Sequence, residues 1–252
     1  MRKCIANISN YLHCCLWLVL FVFGFQFNDA YGQDYKSEAD SVIAGKTTAG
    51  KVVVLNDLSV KYRNSDIHRA TYFVKEALGI SLENDYSEGT ALSLKNLGAL
   101  YYLTGNYDSS KILYQDAFDI YTELDDQVGV SNILNNMAVI HNMQGDYSEA
   151  IRYLNQALAI KQSLGEMEAV SVILRNIGNC YNYQGKYTEA LEYYSQAMEV
   201  NDQLKDEANK MNLLINTGTI LETQGAFIEA LDIYNAALVI ADSLDDFNHK
   251  AM

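Results

Sequence analysis

The sequence predicts an all-α protein built from antiparallel helix hairpins stacked into a solenoid, and three observations carry that prediction. A seven-residue phrase recurs at an interval of 40, as Gln144-Gly-Asp-Tyr-Ser-Glu-Ala150, Gln184-Gly-Lys-Tyr-Thr-Glu-Ala190 and Gln224-Gly-Ala-Phe-Ile-Glu-Ala230. A looser copy, Thr104-Gly-Asn-Tyr-Asp-Ser-Ser110, stands one interval earlier. An internal period of this size means repeated supersecondary units, each unable to bury its apolar face alone. The 252 residues include no proline, which suits a nearly continuous run of helices. Within each unit apolar residues fall three and four apart, giving one buried stripe per helix. With 49% hydrophobic residues, the chain can build an extended core without metals or disulfides.

Residues 1–32 read as an export signal. Arg2 and Lys3 make a positive n-region, Leu16 to Phe25 an apolar run, and Ala30-Tyr31-Gly32 a small-residue site with cleavage before Gln33. The run is short of the about 20 residues a membrane span needs, an uncleaved anchor being the alternative. Three of the cysteines (Cys4, Cys14 and Cys15) lie in the signal. Cys14 and Cys15 precede the apolar run, where a lipidated cysteine would follow it. Cys180 alone remains in the mature chain, so no disulfide forms within one molecule, and it reads as a small apolar residue in a helix interface.

Residues 33–50, polar and containing Ser, Gly and Thr, read as a linker. A degenerate unit follows over 51–89. Leu58, Ser59 and Tyr62 fit its first helix, Ala70 and Ala77 its second, and Ser65 stands near the place of the turn glycine. Four clear units then occupy 90–129, 130–169, 170–209 and 210–249. The sequence stops at Met252, just as another first helix should begin. Two expectations stay open: a longer chain, or an array whose uncapped end self-associates.

Each clear unit is a helix hairpin. A small residue recurs in the first helix at Gly98, Ala138, Gly178 and Gly218. The turn glycines, Gly105, Gly145, Gly185 and Gly225, end that helix because glycine adopts the left-handed conformation of a helix C-terminus. An aromatic residue opens the second helix at Tyr107, Tyr147, Tyr187 and Phe227, followed by small residues at Ser110, Ala150, Ala190 and Ala230, then at Ala117, Ala157, Ala197 and Ala237. Small residues on both helices let their axes approach closely.

These units resemble tetratricopeptide repeats, whose signature is leucine-glycine-x-x-tyrosine, then glycine-x-tyrosine-x-x-alanine, then alanine. The resemblance covers the chain from Ala91 onward. The period of 40 exceeds the commonest one of 34, and the usual proline at the repeat end is missing. HEAT and armadillo repeats share the length but lack the glycine-tyrosine-alanine phrase. The longer units are similar to those of kinesin light chains and of many bacterial regulatory proteins. The resemblance implies a right-handed superhelical solenoid whose first helices line a concave face.

Carried over residue by residue, the family's groove positions fall on Lys95, Asn96 and Tyr102 in one unit. The next units contribute Asn132, Asn135, Asn136 and Asn142, then Arg175, Asn176, Asn179, Asn182 and Tyr183. The last gives Asn212, Asn216 and Glu222. Asparagine is a poor interior helix residue. Its amide offers one donor and one acceptor group, as an extended peptide backbone does. Asn96, Asn136, Asn176 and Asn216 recur in strict register and either face a ligand or bridge neighbouring helices. Asn132, Asn135, Asn142, Asn179 and Asn182 are expected to face the groove. Only Lys95 and Asn136 match the carboxylate-binding pattern of some relatives, so that subsite is not expected. Tyr102, Arg175 and Tyr183 are the expected anchors.

Charge narrows the partners. A net charge of −14 argues against nucleic acid or an anionic membrane, both of which call for a basic face. Gly45-Lys46-Thr47 imitates the end of a phosphate-binding loop, but the first glycine of that motif would fall on Asp40, and no strand precedes it. His13, His68, His141 and His249 show no metal-ligand spacing. The pairs Asp125-Asp126 and Asp245-Asp246, at repeat ends, read as solvated or helix-capping. No nucleophile pairs with a base, and no cofactor or metal is expected. The expectation is an exported scaffold that binds a protein or peptide. The alternative is the sensor region of a longer signalling protein with a histidine kinase, nucleotide cyclase or DNA-binding output.

Overall fold

A computed structural model describes residues 30–250, so the expected signal up to residue 29 lies outside the described residues. The chain divides into two units, Met1–Ala44 and Gly45–Met252. Of the first unit, helix α1 (Ala30–Ile43) is described. The segment expected to be a linker over 33–50 is therefore helical through residue 43. The Ser, Gly and Thr that suggested a linker crowd its second half, whereas Tyr35, Ala39 and Ile43 recur at the four-residue spacing of a helical stripe. The Gly45-Lys46-Thr47 stretch is a turn and a helix cap: Gly45 has φ 69°, and Thr47 Oγ1 accepts from Gly50 N–H at 3.2 Å.

The second unit holds ten described helices. They are α2 (Thr48–Tyr62), α3 (Ile67–Glu83), α4 (Ser87–Leu103), α5 (Tyr107–Glu123), α6 (Gln127–Met143), α7 (Tyr147–Leu164), α8 (Met167–Tyr183), α9 (Tyr187–Leu204), α10 (Glu207–Thr223) and α11 (Phe227–Lys250). They pack as five hairpins, α2/α3 through α10/α11, and each second helix packs against the next first helix. The fold is an all-α helical repeat array. The degenerate first hairpin closes its turn without a left-handed residue: Tyr62 C=O accepts from Ser65 N–H at 3.0 Å and from Asp66 N–H at 2.8 Å. Asp66 then caps α3, accepting from Arg69 N–H at 3.0 Å.

Every later hairpin turn does use its glycine in the left-handed region, at φ 78° for Gly105, 80° for Gly145, 73° for Gly185 and 81° for Gly225. A second left-handed position recurs between units, at Asp85, Asp125, Gly165 and Lys205. Short polar caps start the helices that follow: Asp126 accepts from Gly129 N–H at 2.9 Å and Asp206 from Asn209 N–H at 2.9 Å. Asp245, one interval beyond Lys205, lies inside α11.

The alanines of the repeat meet where the helices cross, and Ala70, Ala117, Ala157 and Ala197 are fully buried. Burial gathers into two clusters. The larger runs from Ala70 to Cys180, and the smaller includes Val170, Leu174, Tyr194, Leu213 and Ile220. Helix α8 supplies both, giving Ile173, Ile177 and Cys180 to the first and Val170 and Leu174 to the second.

Candidate functional site

The first helices of three successive hairpins, α2, α4 and α6, form one wall of a groove of about 540 Å³. Its lining includes Val60 and Arg63 from the end of α2, Lys95, Asn96 and Tyr102 from α4, and Asn132, Asn135 and Asn136 from α6. Asn132 and Asn135 also line the next depression, about 310 Å³, together with Val172 of α8 and Asn209 of α10. A small crevice beyond holds Asn142, Asn176 and Asn179. The repeat explains the assembly. A displacement of 40 residues returns each first helix to the same face, so positions that are remote in sequence line up across neighbouring units.

The asparagines divide into two sets. Asn96 Nδ2 donates to Asn56 Oδ1 at 2.8 Å, Asn176 Nδ2 to Asn135 Oδ1 at 3.2 Å, and Asn216 Nδ2 to Asn179 Oδ1 at 3.2 Å. Three of the four in-register residues are thus bridges between neighbouring units. Asn135 and Asn179 are the acceptors of those bridges. Asn179 takes a further bond from Tyr194 Oη at 2.6 Å, and Asn142 Oδ1 faces Cys180 Sγ at 3.7 Å. Asn135, Asn142 and Asn179, expected to face the groove, do line it or its crevice, and each also has a partner within the array, because a half-buried amide finds its nearest partner on a neighbouring helix. Asn132 and Asn136 line the groove and pair with no described residue through their side chains.

The remaining expected positions are spread out. Arg175 Nη1 donates to Asn209 Oδ1 at 2.9 Å, fixing it across the α8–α10 boundary. Tyr183 is 62% exposed and stacks on Tyr147 with ring centroids 5.9 Å apart. Asn182 is half-buried at the end of α8, and Asn212 is exposed on α10; neither lines the described depressions.

Electrostatics single out α4. Burial lowers the pKa of the Lys95 ammonium, and Asp126 at the start of α6 partly opposes that shift. Burial raises the Tyr102 phenol, with Tyr107 adding to the effect, and burial also pushes the Tyr114 phenol at the groove floor up to about 12. The Cys180 thiol is pushed up to about 11 by burial, an unreactive environment.

The tetratricopeptide repeat profile matches residues 58–123, 89–163 and 169–243. The chain belongs to the tetratricopeptide repeat family. Solved structures share this tetratricopeptide architecture at low identity, which speaks to fold alone. BtubC (BKLC) from P. vanneervenii is 23% identical, with 86% of this chain and 90% of that one covered at a TM-score of 0.69. A Rap protein complexed with competence and sporulation factor is 18% identical, with 84% and 59% covered and a TM-score of 0.69. The Rap conjugation gene regulator of plasmid pLS20, in complex with the Phr* peptide, is 12% identical, with 86% and 69% covered and a TM-score of 0.63. No curated protein sequence matches the chain. Among the described residues no helix of this tetratricopeptide array is long and apolar enough to cross a membrane.

Three groups of residues escaped the sequence. Asn56 is buried, donates to Val52 C=O and Ser93 Oγ at 2.9 Å each, and anchors Asn96. Its place one interval before Asn96 was the available signal, hidden because the first tetratricopeptide unit is degenerate. Arg63 and Asn64 line the groove from the turn after α2, where the family pattern predicts only a turn. Lys161 is buried at a unit boundary and pairs with Glu166 at 2.6 Å.

Proposed function

We propose that the array is a protein-interaction scaffold that holds an extended peptide segment of a partner in the groove of α2, α4 and α6. The observation that carries this reading is the pair Asn132 and Asn136. Both line the groove, and neither makes a side-chain hydrogen bond among the described residues. Each primary amide offers the donor and acceptor that an extended backbone presents in turn. Tyr102, on the neighbouring helix α4, provides the aromatic surface that interfaces favour. The Rap proteins of like fold, complexed with competence and sporulation factor and with the Phr* peptide, support the same mode of use. The groove acts by binding, and no reaction is assigned to it.

The test is a double substitution, Asn132→Ala with Asn136→Ala, assayed by fluorescence polarisation against a library of extended ten-residue peptides. Each lost hydrogen bond contributes about 1 kcal/mol, so affinity should fall on the order of tenfold or more while the helical circular dichroism spectrum is kept. Undiminished affinity in a folded double variant would remove the reading.

A second surface favours self-association. In α11, Phe227, Leu231 and Leu238 are exposed, at 68%, 59% and 57%, whereas Met198 and Leu158, one and two intervals before Leu238, pack against the core. A second copy of this chain would cover that face, and sedimentation of the Leu231→Lys, Leu238→Lys variant should then show a smaller species than the parent. Identical sedimentation would count against it. On the same reading the array works outside the cytoplasm, which the basic start and the apolar run Leu16 to Phe25 support. A mature N-terminus at Gln33 in the native protein is the expected result, and an intact Met1 start would overturn it.

A further inference from the structure

We infer that α11 pairs with α11 of a second copy, antiparallel and about a two-fold axis, so that the array closes as a dimer and does not extend head to tail. This rests on the self-association reading above and gives it a geometry.

Two positions separate that geometry from simple stacking. Leu231 and Leu238 stand one interval after Leu191 and Met198, which pack against the core, so a hairpin laid on α11 as α10 is laid on α9 would cover them. Ile228 and Val239 are different. Their equivalents in the three earlier units are Asp108, Ser148 and Thr188 for one, and Asp119, Ala159 and Glu199 for the other. Those six are exposed and polar or small, although another hairpin follows each of them. Ile228 and Val239 are 77% and 69% exposed, and head-to-tail stacking would leave them so. Apolar side chains where stacking leaves water call for a cover of another kind.

The spacing makes α11 self-complementary. Ile228 and Val239 are 11 residues apart, close to a whole number of helical turns, so they share one side of the helix about 16 Å apart. A two-fold axis midway between them sets Ile228 against the partner's Val239 and, by symmetry, Val239 against the partner's Ile228. The same axis sets Leu231 against the partner's Ala236, a small residue that lets the helices approach, and Asp232 against the partner's Asn235. Glu229 then lies opposite the partner's Leu238, so no carboxylate faces another. A parallel pair would set Glu229, Asp232 and Asp242 each against its own copy, with no lysine or arginine over residues 227–244 to offset them.

The experiment is sedimentation equilibrium of the protein and of two double variants, each checked for an unchanged helical circular dichroism spectrum. Ile228→Thr with Val239→Glu restores the residues of the preceding unit, Thr188 and Glu199, which α9 carries within its helix. Leu231→Lys with Leu238→Lys disrupts both arrangements. The expected result is a parent whose mass stops at two copies and whose dimer tightens as added salt screens the acidic helices. The first variant should dimerise roughly tenfold or more weakly. If it dimerises as the parent does while the second variant does not, the antiparallel pairing is overturned and self-association through the stacking edge stands. A mass that keeps rising with concentration means head-to-tail growth and overturns the pairing too. A parent that stays a single copy at every concentration removes the pairing and the self-association reading together. Register is read by mixing an Asp232→Cys protein with an Asn235→Cys protein under mild oxidation. Mixed disulfides should predominate, and a preference of each for its own kind would mean a parallel pair and overturn the inference.

Discussion

Tyr194 occupies the space that a side chain on Gly178 would need: a Cβ built on that glycine stands 2.5 Å from the phenol ring. The same relationship joins Gly98 to Tyr114, at 2.8 Å, and Gly218 to Tyr234, at 2.5 Å. In the unit between the first two, alanine replaces glycine at Ala138 and leucine replaces tyrosine at Leu154. Size is traded between the two helices of a hairpin, so their separation is kept.

Gly178→Ala should therefore destabilise by about 1–3 kcal/mol, the usual cost of overpacking a filled core. Tyr194→Leu relieves the collision, so the double variant should be less destabilised than the sum of the two single ones. Urea midpoints for all four proteins check this; strict additivity would mean that the ring and the glycine do not compete for space.

Asn56 carries a different kind of load. Its amide joins Val52, Ser93 and Asn96, and the residue is 2% exposed. Asn56→Ala leaves Ser93 and Asn96 short of a partner and should lower stability by about 1–3 kcal/mol. Asn132→Ala, which removes no described bond, should leave thermal stability nearly unchanged. Comparing the two melting curves separates the amides that tie neighbouring units together from those that make no described bond.

The left-handed positions between units give a prediction with the opposite sign. Lys205 holds φ 57°, a conformation that costs a non-glycine residue about 1–2 kcal/mol. Lys205→Gly removes that strain, though glycine gives back some unfolded-state entropy, so a net gain of roughly 0.5–1 kcal/mol is expected. Gly165→Ala, at φ 71°, should lose a similar amount. Chemical denaturation of each variant tests both signs.

Buried phenols set an alkaline limit. The Tyr114 and Tyr121 phenols are raised from 10.0 to about 12, chiefly by burial, and the Tyr194 phenol is raised as well. An acid whose pKa is higher in the folded state contributes stability that is fully present below its unfolded pKa. That contribution is lost as pH climbs through the folded value. Stability should accordingly stay level through neutral pH, as far as these groups decide it, and fall between about pH 10 and 12. Tyr114→Phe should weaken that decline, which denaturation midpoints at pH 9, 10 and 11 would follow.

Much of this was legible in the sequence because the repeat displays it four times. Gly105, Gly145, Gly185 and Gly225 announced the hairpin turns, and the alanines announced the helix crossings. The unit boundaries were less visible: only Gly165 among Asp85, Asp125, Gly165 and Lys205 is a glycine, so composition could not mark a left-handed residue there. Helix α1 looks like a linker in sequence because its apolar stripe is shorter than a repeat and nothing later echoes it. For the groove, Lys95, Asn96, Tyr102, Asn132, Asn135 and Asn136 do come together. Which amides face outward was beyond the sequence. Asn135 and Asn136 are neighbours of the same type, and only the three-dimensional partner of each, Asn176 for one and no described side chain for the other, tells them apart.

Helix α8 contributes to both hydrophobic clusters, with Ile177 on one side and Leu174 on the other. Cooperativity along the chain therefore passes through one helix, and a linear array loses structure at its weakest junction first. Amide protons of α10, which supplies Leu213 and Ile220 to the smaller cluster, and of α11 packed on it should exchange with deuterated solvent through openings that leave α4 to α7 closed. A single global melting temperature would then conceal two events. The groove of α2, α4 and α6 borders the larger cluster and should stay closed through the first of them.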